Sequence, residues 1–288
     1  MYFSLTSADL QALASFYRDA LGCRILSTEV VAGAQFEVLM GVPGGARRIC
    51  LELGQQRIEL LQFDRAVQRY PPDVAASDLR FQHFAIVVAD MSRACAQLAR
   101  TSGWTAISRS GPQRLPAASG GVTAYKFRDP EGHPLELLSF APGQAPPAWR
   151  NPPPEVLHLG LDHSAISVAD TERSIAFYAA LGFTVSARSL NLGPEQARLD
   201  DVLAPQVEVT ALSLPHGGPH LELLCYRGVA HAESTQRRNN DIATTRMVLQ
   251  DSPGQDSPGQ DSPGRCLVDP DGHFLICGAR RPDGPQVP

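Results

Sequence analysis

One phrase occurs three times in this chain, and it constrains the fold more than any other feature. It reads "DHSAISVADTERSIAFYAALGFTV" at 162–185, "YFSLTSADLQALASFYRDALGCRI" at 2–25 and "QHFAIVVADMSRACAQLARTSGW" at 82–104. Each copy opens with alternating residues that predict a strand. An aspartate follows (Asp170, Asp9, Asp90), a residue that caps helix N-termini by accepting a backbone N–H bond. Apolar residues then recur at helical spacing, and a glycine (Gly182, Gly22, Gly103) predicts the stop. Self-similarity at this scale means that one supersecondary unit is repeated.

The units also end alike. "RIELLQF", "HPLELLSF" and "HLELLCY" place Glu59, Glu136 and Glu222 in alternating apolar strands. The turns "DPEGH" (129–133) and "DPDGH" (269–273) introduce two such final strands, Asp-Pro with a following glycine being turn chemistry. Four units therefore begin near residues 1, 80, 160 and 242. The fourth keeps "TTRMVLQD" and "RCLVDPDGHFLICG", but "DSPGQDSPGQDSPG" stands where its capped helix should be. Proline and glycine every five residues exclude helix and strand, so 251–264 is expected to be a loop without chemistry. The Pro-rich stretch 141–157 predicts a stiff connector. The expected organisation is a first domain over 1–140 (units 1–79 and 80–140), the linker 141–157 and a degenerate second domain over 158–281.

Composition narrows the function. With 43% hydrophobic and 19% charged residues the chain is globular. A net charge of −5 without a Lys/Arg run argues against nucleic acid and anionic membranes as partners. No apolar run approaches a bilayer span, no signal peptide is expected at the N-terminus, and the six cysteines have no CxxC spacing. A cytoplasmic protein that binds a small molecule, with room for a homodimer, is the expectation.

The repeated "DHSAISVAD…FYAALGF" segment and the "DPEGHPLELLSF" ending make the chain resemble the vicinal oxygen chelate superfamily of glyoxalase I, epimerases, bleomycin-resistance proteins and extradiol dioxygenases. The resemblance implies an α+β fold of four βαβββ units, paired into two curved mixed β-sheets, the fourth unit lacking its helix. It also implies metal ligands at the start of each first strand and at the glutamate of each last strand.

Carried over residue by residue, the first domain offers His83, Glu136 and Glu59 as metal ligands, with Glu136 and Glu59 as catalytic carboxylates and Tyr2 as an accessory group. One imidazole and two carboxylates suit Zn, Ni, Fe, Mn or Mg as a divalent cofactor. Counting back seven residues from each capping aspartate gives His163 in the third unit and Thr244 in the fourth. With Glu222 and Ile276 on the last strands, the second domain reads as vestigial: His163, Glu222 and His220. The function implied is a metal-dependent lyase or isomerase of the glyoxalase type acting on a small oxygenated molecule. The alternative is a metal-free binding protein of the bleomycin-resistance type. Extradiol ring cleavage is disfavoured, because its two histidines and one carboxylate would need different residues at Thr244 and Ile276.

Overall fold

The computed structural model describes residues 1–65, 68–71, 73–229, 237–250 and 264–278. The first unit contains β1 (Tyr2–Thr6), α1 (Leu10–Leu21), β2 (Arg24–Val31), α2 (Ala34–Met40), β3 (Ala46–Leu53) and β4 (Gln56–Phe63). The second contains β5 (Gln82–Val88), α3 (Met91–Leu98), β6 (Thr105–Ala106), β7 (Gln113–Arg114), β8 (Thr123–Arg128) and β9 (Pro134–Ser139). The third runs through β10 (His158–Ser167), α4 (Thr171–Ala179), β11 (Thr184–Asn191), α5 (Gly193–Asp200), β12 (Val207–Ser213) and β13 (His220–Tyr226). The fourth has β14 (Thr245–Leu249), β15 (Arg265–Val268) and β16 (Phe274–Cys277), and no helix among its described residues. The repeat tract expected as a loop lies, as far as residue 263, outside the described residues.

The caps form as the residues dictate. Asp9, Asp90 and Asp170 accept from the backbone N–H of Ala12, Arg93 and Arg173. Gly22 ends α1 in the left-handed conformation (φ 70°), its N–H returning to the Arg18 carbonyl and the Cys23 N–H to the Tyr17 carbonyl. Gly103 and Gly182 do not end their helices: α3 stops at Ala99 and α4 at Ala180. Both glycines still have positive φ, so they turn the chain after the helix has finished.

The units do not pair in sequence order. One sheet has seven strands in the order β15-β16-β14-β1-β4-β3-β2, the other nine as β11-β12-β13-β10-β5-β9-β8-β6, with β7 against β8. The first strand β1 runs antiparallel to β14, and β5 antiparallel to β10. Unit 1 therefore closes a sheet with unit 4, and unit 2 with unit 3. Residues 1–140 do not form a sheet of their own, contrary to the sequential expectation. Every unit opens with a strand whose edge needs a partner, and the connectors 64–81 and 140–157 are equal in length. Neither strand pattern nor reach distinguished the two pairings.

Consecutive units are joined by side chains instead. Asp129 of the first DPxGH turn accepts from the Tyr17 hydroxyl of α1 (3.2 Å) and contacts His133 Nδ1 (2.8 Å). His133 Nε2 meets the carbonyls of Thr6 (3.0 Å) and Ile242 (2.9 Å). Burial opposes charge on this imidazole, but Asp129 raises its pKa, so both ring nitrogens donate. The second turn repeats the device: Tyr178 donates to Asp269 (3.0 Å), and His273 Nε2 meets the Ser167 carbonyl (3.0 Å). Gly132 (φ 99°) is required in the first turn, because a Cβ there would lie 2.9 Å from Tyr70. The main core fills the space between the sheets, with Phe3 stacked on Phe84 at 5.1 Å. The opposite face of each sheet forms a cup.

Candidate metal centre

Strand alternation decides what points into each cup. In the nine-stranded sheet, Phe84, Ile86 and Ile166 enter the core, leaving the alternate positions His83, Ala85, His163 and Ala165 for the other face. Register then brings in the glutamates: Ala85 is paired with Glu136, Ala165 with Glu222, and His83 lies across from Ala165. Two alanines form the floor, two histidines stand diagonally over it, and a glutamate flanks each side.

The expected ligands are thereby redistributed. His83 and Glu136 are together, but their partners are His163 and Glu222 from the third unit, which the sequence had marked as vestigial. The ligand atoms of His83, Glu136 and His163 all lie within 4.8 Å of one another. His83 Nε2 is 3.3 Å from Glu136 Oε2, and His163 Nε2 is 3.6 Å from Glu222 Oε2. His220 Nε2 is 3.5 Å from Glu222 Oε1, and His220 forms a second candidate group with Asp162 and His163.

Electrostatics follow from this packing. Burial, helped by the Lys126 ammonium, lowers the His83 pKa, so its ring is neutral. Burial opposes charge on Glu136, yet His83 and Lys126 keep its carboxyl below the usual range. Burial likewise opposes the His163 imidazolium, but Glu222 and Asp162 hold its pKa at about 9. Against the same burial, His163 and His220 hold Glu222 down to about 2.

The sequence reading missed three neighbours. Lys126 on β8 is cross-strand from Glu136, with Nζ 3.7 Å from Glu136 Oε2 and 2.7 Å from Asp200 Oδ1. Asp200, at the end of α5, also accepts from Gln196 Nε2 (2.6 Å) and the Tyr226 hydroxyl (2.8 Å). Asp162 lies 3.0 Å from His163 Nδ1 and accepts from Trp149 Nε1 at 3.0 Å. The linker was expected to be an extended spacer. It instead makes a helical turn at Pro147–Trp149 and reaches the site. Lys126 had a signal in the sequence, since an inward lysine in "TAYKFR" is anomalous in an alternating strand. Asp162 had one in standing beside His163.

The residues fit a divalent ion. Neither ring nitrogen of buried His83 has an aligned hydrogen-bond partner, and a bound ion would satisfy one of the two. Two imidazoles and two carboxylates are a donor set for Zn, Ni, Fe or Mn. Asp162 holds His163 by Nδ1 and leaves Nε2 for a metal, as carboxylates behind metal-bound imidazoles do. Above the cluster opens a cavity of about 370 Å³ lined by His83, Lys126, Glu136, His163 and Glu222, with Leu115, Val122 and Leu199 among its apolar walls.

The seven-stranded cup differs. Tyr2 and Glu59 lie here, the tyrosine hydroxyl donating to Glu59 Oε1 at 3.1 Å, with Arg48 Nη1 at 3.6 Å. The fourth-unit position is also two residues from where counting put it. Ile276 pairs with Val248, so the residue corresponding to His163 is Arg246, not Thr244. The aspartate used for that count, Asp251, lies outside the described residues, and the strand register replaces it. Thr244 donates to the Arg238 carbonyl. Arg246 is wholly buried, and its Nη1 donates to Thr6 Oγ1 (3.0 Å) and the Asn239 carbonyl (2.5 Å). Met40, Val42, Phe63, Val248 and Ile276 fill the rest of this cup. Neither candidate metal group among the described residues contains Glu59. Among those residues no helix is long and apolar enough to cross a membrane.

Comparison with known proteins agrees with the fold. In structure the chain is similar to a mutant of glyoxalase I from Zea mays, at 19% identity and TM-score 0.59, over 96% of this chain and 90% of that one. Glyoxalase I from Zea mays itself gives 19% identity and TM-score 0.57, over 96% and 90%. A candidate dioxygenase from Bacillus subtilis subsp. subtilis str. 168 gives 12% and 0.54, over 98% and 85%. Identities this low establish the fold alone. No curated protein sequence matches the chain. The model of the Glyoxalase/Bleomycin resistance protein/Dioxygenase superfamily matches residues 2–137 and 160–275. Those two segments carry all four repeated units, and the chain belongs to that superfamily.

Proposed function

We propose that this protein is a divalent-metal-dependent enzyme of lyase or isomerase type acting on a small oxygenated molecule, with its site in the nine-stranded cup. The observation that carries this reading is the convergence of His83, Glu136, His163 and Glu222 over a floor of alanines beneath one cavity. These four residues would hold the ion, which when bound supplies Lewis-acid polarisation of a carbonyl and its neighbouring oxygen.

The two glutamates then take unequal parts. Glu136 is pinned between His83 and Lys126 and serves as the fixed ligand. Glu222 keeps 24% of its side chain exposed beside the cavity; with the His163 ring neutral on the ion its strongest charge partner is gone, and it is placed to take a proton from carbon and return it to the adjacent one. It fills the catalytic role assigned from sequence to Glu59. One chain completes the site, so a homodimer is not needed for it.

Two readings remain beside this one. The Lys126 ammonium already neutralises Glu136 without a metal, which favours a metal-free binding protein. The group of His83, His163 and Glu136 is also the two-histidine, one-carboxylate set of non-haem iron oxygenases. The objection to ring cleavage that rested on Thr244 and Ile276 therefore lapses. The test is C–H exchange: zinc- or nickel-loaded protein should wash deuterium from solvent into 2-hydroxyacetophenone, and Glu222→Gln should stop it. Exchange unaffected by Glu222→Gln removes the proposed base. No metal uptake selects the binding protein, and oxygen consumption with catechol and Fe(II) selects the oxygenase.

A further inference from the structure

We infer that the substrate of this site is a molecule without anionic groups, carrying its oxygens at one end of an apolar body. The inference rests on the metal reading above and deepens it. Glu136, Glu222 and Asp162 line the cavity, and Asp200 stands behind it against Lys126. Among the described residues only two lysine or arginine side chains line it, Lys126 and Arg188. The Lys126 ammonium is buried between Asp200 and Glu136 at 2.7 and 3.7 Å, so its charge is neutralised before a ligand arrives. Arg188, half-exposed, is paired with Glu172 at 2.8 Å. A metal-bound His163 is neutral. Even with a divalent ion in place, four carboxylates therefore face three positive charges.

A ligand carboxylate or phosphate entering this space would meet net negative charge in a low-dielectric cup, where the lining guanidinium and ammonium are already paired. The rest of the wall says what the body should be. Leu115, Val122, Leu138, Leu199, Val209 and Leu224 present hydrocarbon to the cavity, and its 370 Å³ is at the small end for ligand sites. Polar recognition is thus concentrated at the ion, the glutamates and the histidines, with Ser119, Ser189, Asn191 and Gln196 as uncharged polar groups on the wall, and these six apolar side chains receive the body.

The test uses matched hydroxamates, which share one metal-chelating head, on the full-length protein. Zinc or nickel alone is titrated first by calorimetry, then benzohydroxamic acid, 4-carboxybenzohydroxamic acid and 4-(aminomethyl)benzohydroxamic acid on the loaded protein. The carboxylated compound should bind about 100-fold more weakly than the parent, and the cationic one no more weakly than the parent. Carboxylated and parent compounds binding within about threefold of each other, or no parent binding to loaded protein, overturns the inference while leaving the metal centre intact. No uptake of metal overturns the metal centre and the inference together.

Discussion

Replacing Lys126 with methionine keeps the length of the side chain and removes its charge. In the native site the ammonium is 2.7 Å from Asp200 Oδ1 and 3.7 Å from Glu136 Oε2, with Lys126 only 4% exposed and Asp200 not at all. Burial opposes the charge on Lys126, but Asp200 and Glu136 raise its pKa. Removing one partner of a buried ion pair strands the other, at a cost of about 3–5 kcal/mol. Asp200 would keep its bonds from Tyr226 and Gln196, which places the expected loss near the lower bound, about 3 kcal/mol. For a chain of this size that is a fall in Tm of about 6 °C, read by thermal and urea denaturation of the metal-free protein. The double variant Lys126→Met with Asp200→Asn, which removes both charges, should recover most of the loss. A single variant that loses less than about 1 kcal/mol, or a double variant whose loss is the sum of the two singles, would refute the reasoning.

Asp162→Asn should weaken zinc binding about 10–100-fold, and Trp149→Phe less, because both act through the His163 ring; affinity unchanged in both removes the positioning chain. His158 is buried, and burial lowers its pKa from 6.5 to about 4. The unfolded chain takes up this proton first, so the contribution is full above pH 6.5 and is lost as pH falls towards 4. Between about pH 7.5 and 5 wild type should lose about 2 kcal/mol more than His158→Asn by urea denaturation, and equal losses would contradict the assignment. Tyr17→Phe and Tyr178→Phe each remove the hydroxyl donated to a buried turn aspartate and should each cost about 1–3 kcal/mol. A loss in one without the other would mean that the two turns are not equivalent.

The repeated unit was legible in the residues because each of its signals is local. Asp9, Asp90 and Asp170 cap the helices next to them, and the Asp129 and Asp269 turns close within five residues. Which side chains of each unit face the cup was legible too: His83 with Glu136 and His163 with Glu222 come from strands within one unit. The union of those two pairs was not legible. It depends on which of four similar strand edges meet, and β5 reaches β10 rather than β1 through a backbone ladder to which only Ser164, bonded to the His83 carbonyl and to Gln82, adds side-chain bonds that nothing in the repeated phrase announces. The fourth unit shows a different limit. Without a capped helix after β14, counting from an aspartate had no true origin, and the strand register puts Arg246 where Thr244 was expected. Lys126 and Asp162 were passed over because neither belongs to the repeated phrase at its ligand positions.

If the proposed function holds, units two and three share one metal centre. Zinc titration by calorimetry, on wild type and four variants checked for folding by circular dichroism, tests it directly. Wild type should take up one ion per chain, His83→Ala and His163→Ala none, and Tyr2→Phe and Glu59→Ala one. Uptake lost in Glu59→Ala but kept in His163→Ala would contradict it.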